Sequence, residues 1–308
     1  MSSTASAPET VAARYLALAE ELVPRLQSDD RAEALDQLDR DHRHLQGALA
    51  WLAEHGDADR AARMVRLLAE FWWTHGHTHD GRRWATRVLS LPGPRGATET
   101  RAMLLDAAAG LAARDCDHAA QRAFHEEALA IRRRLGKPQP LAQSLVHVGA
   151  MLLKSGERQR GWTLLEEALA LARQYGLGRY ARHVLYQMTR VLIDEGDYAT
   201  AQTRLHEILT GLRGSPDEWA AGAILELAGA LAAQQGHPER ALRLAAAGEA
   251  QRLAAGMTEQ GEFGGWLARM LDPARKALDE EALATAMGQG QAMTRHQAVT
   301  YALGDETA

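Results

Sequence analysis

The chain has 308 residues, 46% of them apolar and only 5% aromatic, with a formal net charge of −5 and an isoelectric point near 6.2. That acidic balance argues against a surface for nucleic acid or an anionic membrane, and no apolar run approaches the roughly 18 residues a spanning helix needs. The single cysteine excludes an internal disulfide and suits a reducing compartment; with an opening MSSTASAPET that is no secretory signal, a cytoplasmic protein is expected.

Taken in order, residues 1–9 read as a disordered lead. A first helix is expected from Val11 to about Gln27, with Tyr15, Leu16, Leu18, Ala19 and Leu22 as its apolar face. Ser28, Asp29 and Asp30 can cap a second helix that carries Leu35, Leu38, Leu45, Leu49 and Leu52 as far as Gly56. Residues 10–60 together form an N-terminal helical cap.

From about Ala61 the sequence repeats itself. The clearest unit runs from Val184 to Leu209: two amphipathic stretches around Glu195-Gly196-Asp197-Tyr198, with Leu185, Met188 and Leu192 before the turn and Ala201, Leu205, Ile208 and Leu209 after it. Steps of 40 residues link Gly76, Cys116, Gly156, Gly196 and Gly236. Eleven positions before each turn stands an aliphatic residue (Val65, Leu105, Leu145, Leu185, Leu225), and seven before, a small one (Ala69, Ala109, Gly149, Thr189, Gly229). Thirteen after come Leu89, Leu129, Leu169 and Leu209, the pattern failing only at Glu249. Small residues let two helices approach and aliphatics fill the space between them. One such pair cannot bury its apolar face alone, so an all-α array of five stacked pairs is expected over 61–256. Pro92, Pro94, Pro138, Pro140 and Pro216 fall between units and Pro238 in the first turn of a helix, where a missing N–H costs nothing. Shorter helices at about 259–271, 277–288 and 294–303 make residues 257–308 a C-terminal helical cap. No linker is long enough to set a second domain apart.

These residues resemble the tetratricopeptide-repeat superfamily, with a unit longer than its roughly 34-residue consensus. More closely, the stretches AARYLALAEELVPRL (12–26), LDRDHRHLQGALAWLAEHGD (38–57), FWWTHGHTHDGRRWATRVL (71–89), AFHEEALAIRRRLG (123–136), LLEEALALARQYG (164–176) and GQAMTRHQAVTYAL (290–303) resemble the C-terminal helical region of bacterial signal-transduction ATPases that activate transcription. The resemblance covers Val11 to Leu303. It implies a right-handed α-solenoid that acts as a sensor arm, binding an inducer or a protein and restraining the ATPase. The family's G-x-x-x-x-G-K-[ST] loop occurs nowhere in this sequence, and no DNA-binding helix pair follows the repeats. The chain looks like the sensor arm standing alone.

In stacked helix pairs the first helix of each pair lines the concave wall. The positions offset from the core are Arg63, Arg66, Glu70 and Trp73 in the first repeat, and Met103 and Asp106 in the second. Gln143, Val146, His147 and Leu153 follow in the third, His183, Tyr186, Gln187, Arg190 and Ile193 in the fourth, and Glu226 in the fifth. Aromatic and basic anchors of this kind suit an extended peptide or an amphipathic small molecule carrying an acidic group. The alternative is that these are polar faces in ordinary contact with water. Trp72, next to Trp73, falls on a core register.

His75, His77 and His79, followed by Asp80, form an H-x-H-x-H-D run that could bind zinc or copper, but the spacing bridges two helices and the rings need not converge. In the related regulators a Gly-His stands at this place, which makes His77 look structural. Cys116 sits among Asp115, Asp117 and His118; flanking carboxylates raise a thiol pKa, so nucleophilic chemistry is disfavoured. His147, Asp106, His183, Glu226 and Tyr186 are the conceivable acid–base groups, and no G-x-S-x-G hydrolase elbow is present. The leading expectation is a repeat protein that binds a protein segment or an inducer without chemistry, cofactor or metal. The alternatives are a small-molecule-binding biosynthetic protein or non-hydrolytic acid–base enzyme using His147, Asp106 and Tyr186, and a homodimerisation scaffold.

Overall fold

The computed structural model describes residues 7–26, 30–91, 98–213, 218–255 and 261–304. Every regular element among them is a helix. In the first half of the chain these are α1 (Ala7–Arg25), α2 (Arg31–Arg40), α3 (His42–Glu54), α4 (Ala58–Thr74), α5 (Thr78–Ser90), α6 (Glu99–Arg114), α7 (His118–Leu135) and α8 (Pro138–Lys154). The second half holds α9 (Arg158–Gln174), α10 (Gly178–Asp194), α11 (Tyr198–Leu212), α12 (Glu218–Gln234), α13 (Pro238–Ala254), α14 (Gly261–Lys276), α15 (Glu280–Gln291) and α16 (Arg295–Leu303). Among the described residues, no helix is long and apolar enough to cross a membrane.

The helices are strung on one recurring turn. A residue in the left-handed region closes α3, α4, α6, α7, α8, α9, α10 and α12, at Gly56, Gly76, Cys116, Gly136, Gly156, Gly176, Gly196 and Gly236. In seven of these eight turns, all but that at Gly136, the next residue's N–H reaches back to a carbonyl of the last helical turn: His77 to Trp72 at 3.0 Å, Asp117 to Ala112 at 2.9 Å, Asp197 to Leu192 at 2.9 Å. This pairing satisfies carbonyls that a helix end otherwise leaves open. Asp57, Asp117 and Asp197 then cap the following helix, each carboxylate accepting from the backbone N–H three residues on.

The aliphatic positions eleven before the turn are core: Val65, Leu105, Leu145 and Leu225 are fully buried and Leu185 is 2% exposed. Of the small positions seven before, Gly229 lies where the first helix of its pair meets the second. The last pair is the closest. A methyl on Gly229 would stand 2.7 Å from the Ala241 carbonyl oxygen, and one on Gly248 2.7 Å from that of Gly222. Of the other small positions, Ala109 and Thr189 are fully buried, the Thr189 hydroxyl donating to the Leu185 carbonyl at 2.7 Å, whereas Ala69 is only half-buried.

The chain divides into two compact units, residues 1–151 and 152–308, with the boundary inside α8 rather than at a linker. In a repeat array each pair touches only its neighbours, so a division needs no gap in the sequence. In the first unit, α1 buries Leu16, Ala19 and Leu22 in a core shared with Leu38, Leu45, Leu49, Leu52, Phe71 and Trp72. In the second, α15 lies so close to α13 that a methyl on Gly290 would fall 2.1 Å from the Arg243 carbonyl oxygen. Arg240 closes the end of α16 by donating to the Tyr301 and Ala302 carbonyls at 3.0 and 2.9 Å.

Several boundaries differ from the sequence reading. α1 begins at Ala7, ahead of Val11. The expected second helix is two, α2 and α3, broken at Asp41 within the charged run Asp39-Arg40-Asp41, where no apolar side chain holds the backbone to a core. Asp30 stands at the start of α2, but its carboxylate caps nothing there, and Ser28 and Asp29 lie outside the described residues. Pro138 and Pro140 belong to the first turn of α8, while Pro92, Pro94 and Pro216 lie outside the described residues. α14 runs through Pro273 to Lys276, because Leu271 and Ala274, each 2% exposed, keep its buried face continuous past the proline.

Two substitutions test this. Leu185→Ala removes a core side chain and is expected to cost about 2–5 kcal/mol in denaturant unfolding. Cys116 is the one non-glycine residue at a left-handed turn among those described (φ 56°), so Cys116→Gly is expected to raise the unfolding free energy by roughly 0.5–1 kcal/mol.

Candidate functional site

The first unit contains a polar cluster where α6, α7 and α8 meet. Asp106 on α6 is its centre. Its Oδ1 lies 3.3 Å from His125 Nδ1 on α7, and its Oδ2 takes an Arg132 N–H at 2.6 Å. Arg132 is 3% exposed and also reaches the Glu99 carboxylate at 3.0 Å and the Ser144 hydroxyl at 2.7 Å. His147 on α8 brings its ring centroid to 5.2 Å from that of His125. Burial, the largest influence on Asp106, pushes its carboxyl up; the His125 hydrogen bond and the charges of Arg132 and the two imidazoles outweigh it and hold the group below its ordinary value. The sequence grouped Asp106 and His147 with His183, Glu226 and Tyr186 as conceivable acid–base groups; Asp106 and His147 have donor atoms within 4.8 Å of each other, while the other three belong to the second unit. His125 and Arg132 were missed. His125 falls on the second helix of its pair, and Arg132 opens an Arg-Arg-Arg run that looks like an ordinary solvated helix end.

A second cluster gathers at the α4–α5 turn. His75 and His79 are exposed, and His77 turns instead toward His42 at the start of α3, the ring centroids lying 4.0 Å apart. His77 Nε2 bonds Asp39 at 3.0 Å. His42 Nε2 accepts the indole N–H of the fully buried Trp72 at 3.2 Å and stands 3.9 Å from Asp80. His42, His77 and Asp80 thus replace the expected His75, His77 and His79 as the convergent group. Its evident work is structural, because Trp72 needs that acceptor and Gly81 leaves room for its ring: a methyl there would come 2.8 Å from it. His42 titrates below its ordinary value, through burial first and the neighbouring His77 second, against the opposing pull of Asp80 and Asp39.

The other first-unit positions divide. Arg63 pairs with Glu20 of α1 at 2.8 Å and Glu70 with Arg31 of α2 at 3.8 Å, so both meet the N-terminal helices. Arg66 and Gln143 are half-buried. Trp73 is 47% exposed with the Arg114 guanidinium 5.2 Å from its ring centre, and Met103 is exposed too. Cys116 is exposed, and the two carboxylates beside it are both taken by Arg82, at 3.0 Å for Asp115 and 2.5 Å for Asp117.

In the second unit, α14 carries Phe263 and Trp266 against α10. The Arg190 guanidinium lies 5.6 Å from the Phe263 ring centre and 5.1 Å from that of Trp266, whose N–H donates to Asp194 at 2.7 Å. Among the described residues Arg190 has no carboxylate in salt-bridge reach, and its buried Nε has no hydrogen-bond partner. Tyr186 packs 5.9 Å from Phe263, and burial pushes its phenol up, Arg190 working against that. His183 is held below its ordinary value by burial and then by Arg179, and its Nε2 lies 3.2 Å from the Gln187 amide. Glu226 faces inward instead of lining a groove: it is 1% exposed and bonds Arg252 of α13 at 3.2 Å, because the glycine-close packing of α12 on α13 buries that face. Phe263 and Trp266 could not be placed from sequence, since they lie off the 40-residue register.

No family model matches the chain, and no curated protein matches it. Solved structures do. The chain is similar to RapI in its apo form, with a TM-score of 0.59 and 13% identity over 85% of this chain and 98% of that one. It is similar also to BtubC (BKLC) from P. vanneervenii, with 0.55 and 15% over 83% and 95%. A third is a mutant of the kinesin-light-chain TPR-like repeats of a Podospora anserina protein, with 0.54 and 14% over 65% and 97%. The fold is that of the tetratricopeptide-repeat solenoids. At such identities the likeness is one of architecture, and it carries none of those proteins' activities to this one.

The Trp72–His42 bond yields a pH prediction. A histidine whose folded pKa is depressed favours the folded state while neutral, so its contribution is complete above the unfolded value of about 6.5 and is lost as pH falls below it. Thermal unfolding between pH 7.5 and 5 is therefore expected to fall more steeply for the wild type than for His42→Gln, whose amide still accepts from Trp72 but does not titrate.

Proposed function

We propose that this chain is a non-catalytic helical-repeat binding protein that takes a protein segment on the first helices of its pairs, an acidic side chain of that segment meeting Arg190. The observation that carries the reading is the Arg190 guanidinium, stacked on Phe263 and Trp266 with no carboxylate of its own among the described residues. A stacked guanidinium is held planar and partly stripped of water, and its N–H edge is placed to donate to a carboxylate. Tyr186 beside it offers an apolar body for the partner's neighbouring residue. Trp73 with Arg114 repeats the aromatic–arginine pairing on the first unit.

The role is regulatory, in a bacterial cytoplasm, as a sensor arm, and the acidic balance of the chain disfavours nucleic acid and anionic membranes as partners. The resemblance of the sequence to such arms supports this.

A second reading has its own support. Phe263 and Trp266 cover Arg190 and Tyr186 from α14, an enclosure that also suits a small amphipathic acid. Native mass spectrometry separates the two: a retained small molecule favours the second, and a clean chain mass that shifts only with peptide favours the first.

Selection from a displayed peptide library is expected to enrich sequences with Asp or Glu beside an aromatic or aliphatic residue. Arg190→Ala, with unchanged melting, should weaken the selected peptides roughly 10–100-fold, the worth of a charge-assisted hydrogen bond, and Trp73→Ala should weaken those that span the first unit. Equal binding by wild type and Arg190→Ala overturns the assignment.

A further inference from the structure

The cluster of α6, α7 and α8 holds two imidazoles and a carboxylate that the binding reading does not use. We propose that Asp106, His125 and His147 form a binding site for one first-row divalent cation of the zinc type, with its fourth position left for water or an incoming ligand. One donor atom from each of the three lies within 4.8 Å of the other two. Ligands at the 2.0–2.2 Å bond lengths of tetrahedral zinc stand about 3.3–3.6 Å apart, and Asp106 Oδ1 and His125 Nδ1 are already 3.3 Å apart. Only the His147 ring has to move, by about an ångström or a change of its ring torsion. Each ligand comes from a different helix, and two of the helices are locked together by Arg132.

Arg132 does not oppose the ion as a lone cation would. It binds Asp106 through Oδ2, leaving Oδ1 toward the imidazoles, and its charge is shared with Glu99 at 3.0 Å. Two carboxylates against one guanidinium leave the site with a net negative charge before any ion arrives. A ligating carboxylate whose second oxygen is held by a fixed donor is the usual outer arrangement of metal sites, and Ser144 fixes that donor in turn at 2.7 Å. Two imidazoles with one carboxylate and an open position suit zinc or cobalt better than magnesium or calcium, which prefer all-oxygen shells.

A ligating imidazole nitrogen must be free of its proton, so affinity should fall as pH drops from 7.5 to 6. The rival site at His42, His77 and Asp80 is a built-in control, since its principal imidazole already serves Trp72.

The experiment is titration of the chelator-treated full chain with ZnCl2 by calorimetry, and with CoCl2 by visible absorption. One equivalent is expected, with an intense cobalt d–d band of four-coordinate type, and with changes at the ring nitrogens of His125 and His147 in long-range 1H–15N spectra. Outer-shell losses already cost about 10–100-fold, so His147→Ala should weaken zinc at least about a hundredfold. His147 is half-buried, whereas Asp106 and His125 bond each other between two helices, which makes this variant the one expected to keep its fold; far-UV dichroism checks that. His77→Ala should leave stoichiometry and affinity unchanged. No binding, binding that survives His147→Ala in a folded protein, or binding lost in His77→Ala each overturns the site. If His147→Ala fails to fold, the wild-type ring-nitrogen spectra decide: no change at His125 and His147 on adding zinc overturns it.

Discussion

Each repeat pair in this protein is closed by a backbone turn that only glycine makes without strain, and seven residues before that turn stands a small residue, which in the last pair is a glycine where two helices touch. These constraints work together. The left-handed residue reverses the chain within three positions, and its successor ties back to the helix just ended, so the next helix is aimed along the flank of the last. Small side chains then set how near the two axes come. In the last pair the limit is reached, because Gly222, Gly229 and Gly248 leave backbone against backbone with no space for a methyl. Glu226 and Arg252 are sealed between those helices as a consequence, and losing either partner would strand a charge in the core.

Buried charge is the second organising theme. The Arg132–Asp106–His125 chain in the first unit and the Glu226–Arg252 pair in the second both lie between helices, where aliphatic residues would stabilise the fold as well or better. The two differ in kind. Glu226 and Arg252 close on each other. The Asp106 network leaves imidazoles beside a carboxylate in a partly open position, which is what an ion or a proton donor could use. Arg190 is different again, a cation stabilised by aromatic faces and left without a carboxylate among the described residues.

Some of this was legible in the residues and some was not. Leu185, Met188, Leu192, Leu205 and Leu209 fell at helical spacing and are buried, because burial on a helix follows periodicity. The same spacing put Trp72 inside and Trp73 outside. It failed with Glu226 and Val146, each 1% exposed although they share a register with the half-buried Arg66, Asp106 and Tyr186: how deep Glu226 lies depends on the distance between α12 and α13, which glycines on both helices set. It failed also in joining α2 to α3. Candidate residues within one unit could be proposed from register, but their partners could not. His125, Arg132, His42 and Phe263 stand 19, 33, 30 and 73 residues from Asp106, Glu99, Trp72 and Arg190, which they meet.

The sequence by itself determined that the chain is helical, where each helix turns, and which faces are apolar, since these depend on neighbours within a few residues and on the conformational preference of glycine. Only the tertiary structure decided which polar groups meet. A hydrogen bond between Asp106 and His125, or a ring stacked on Arg190, depends on how far apart whole helices pack, and that distance belongs to no single stretch of sequence.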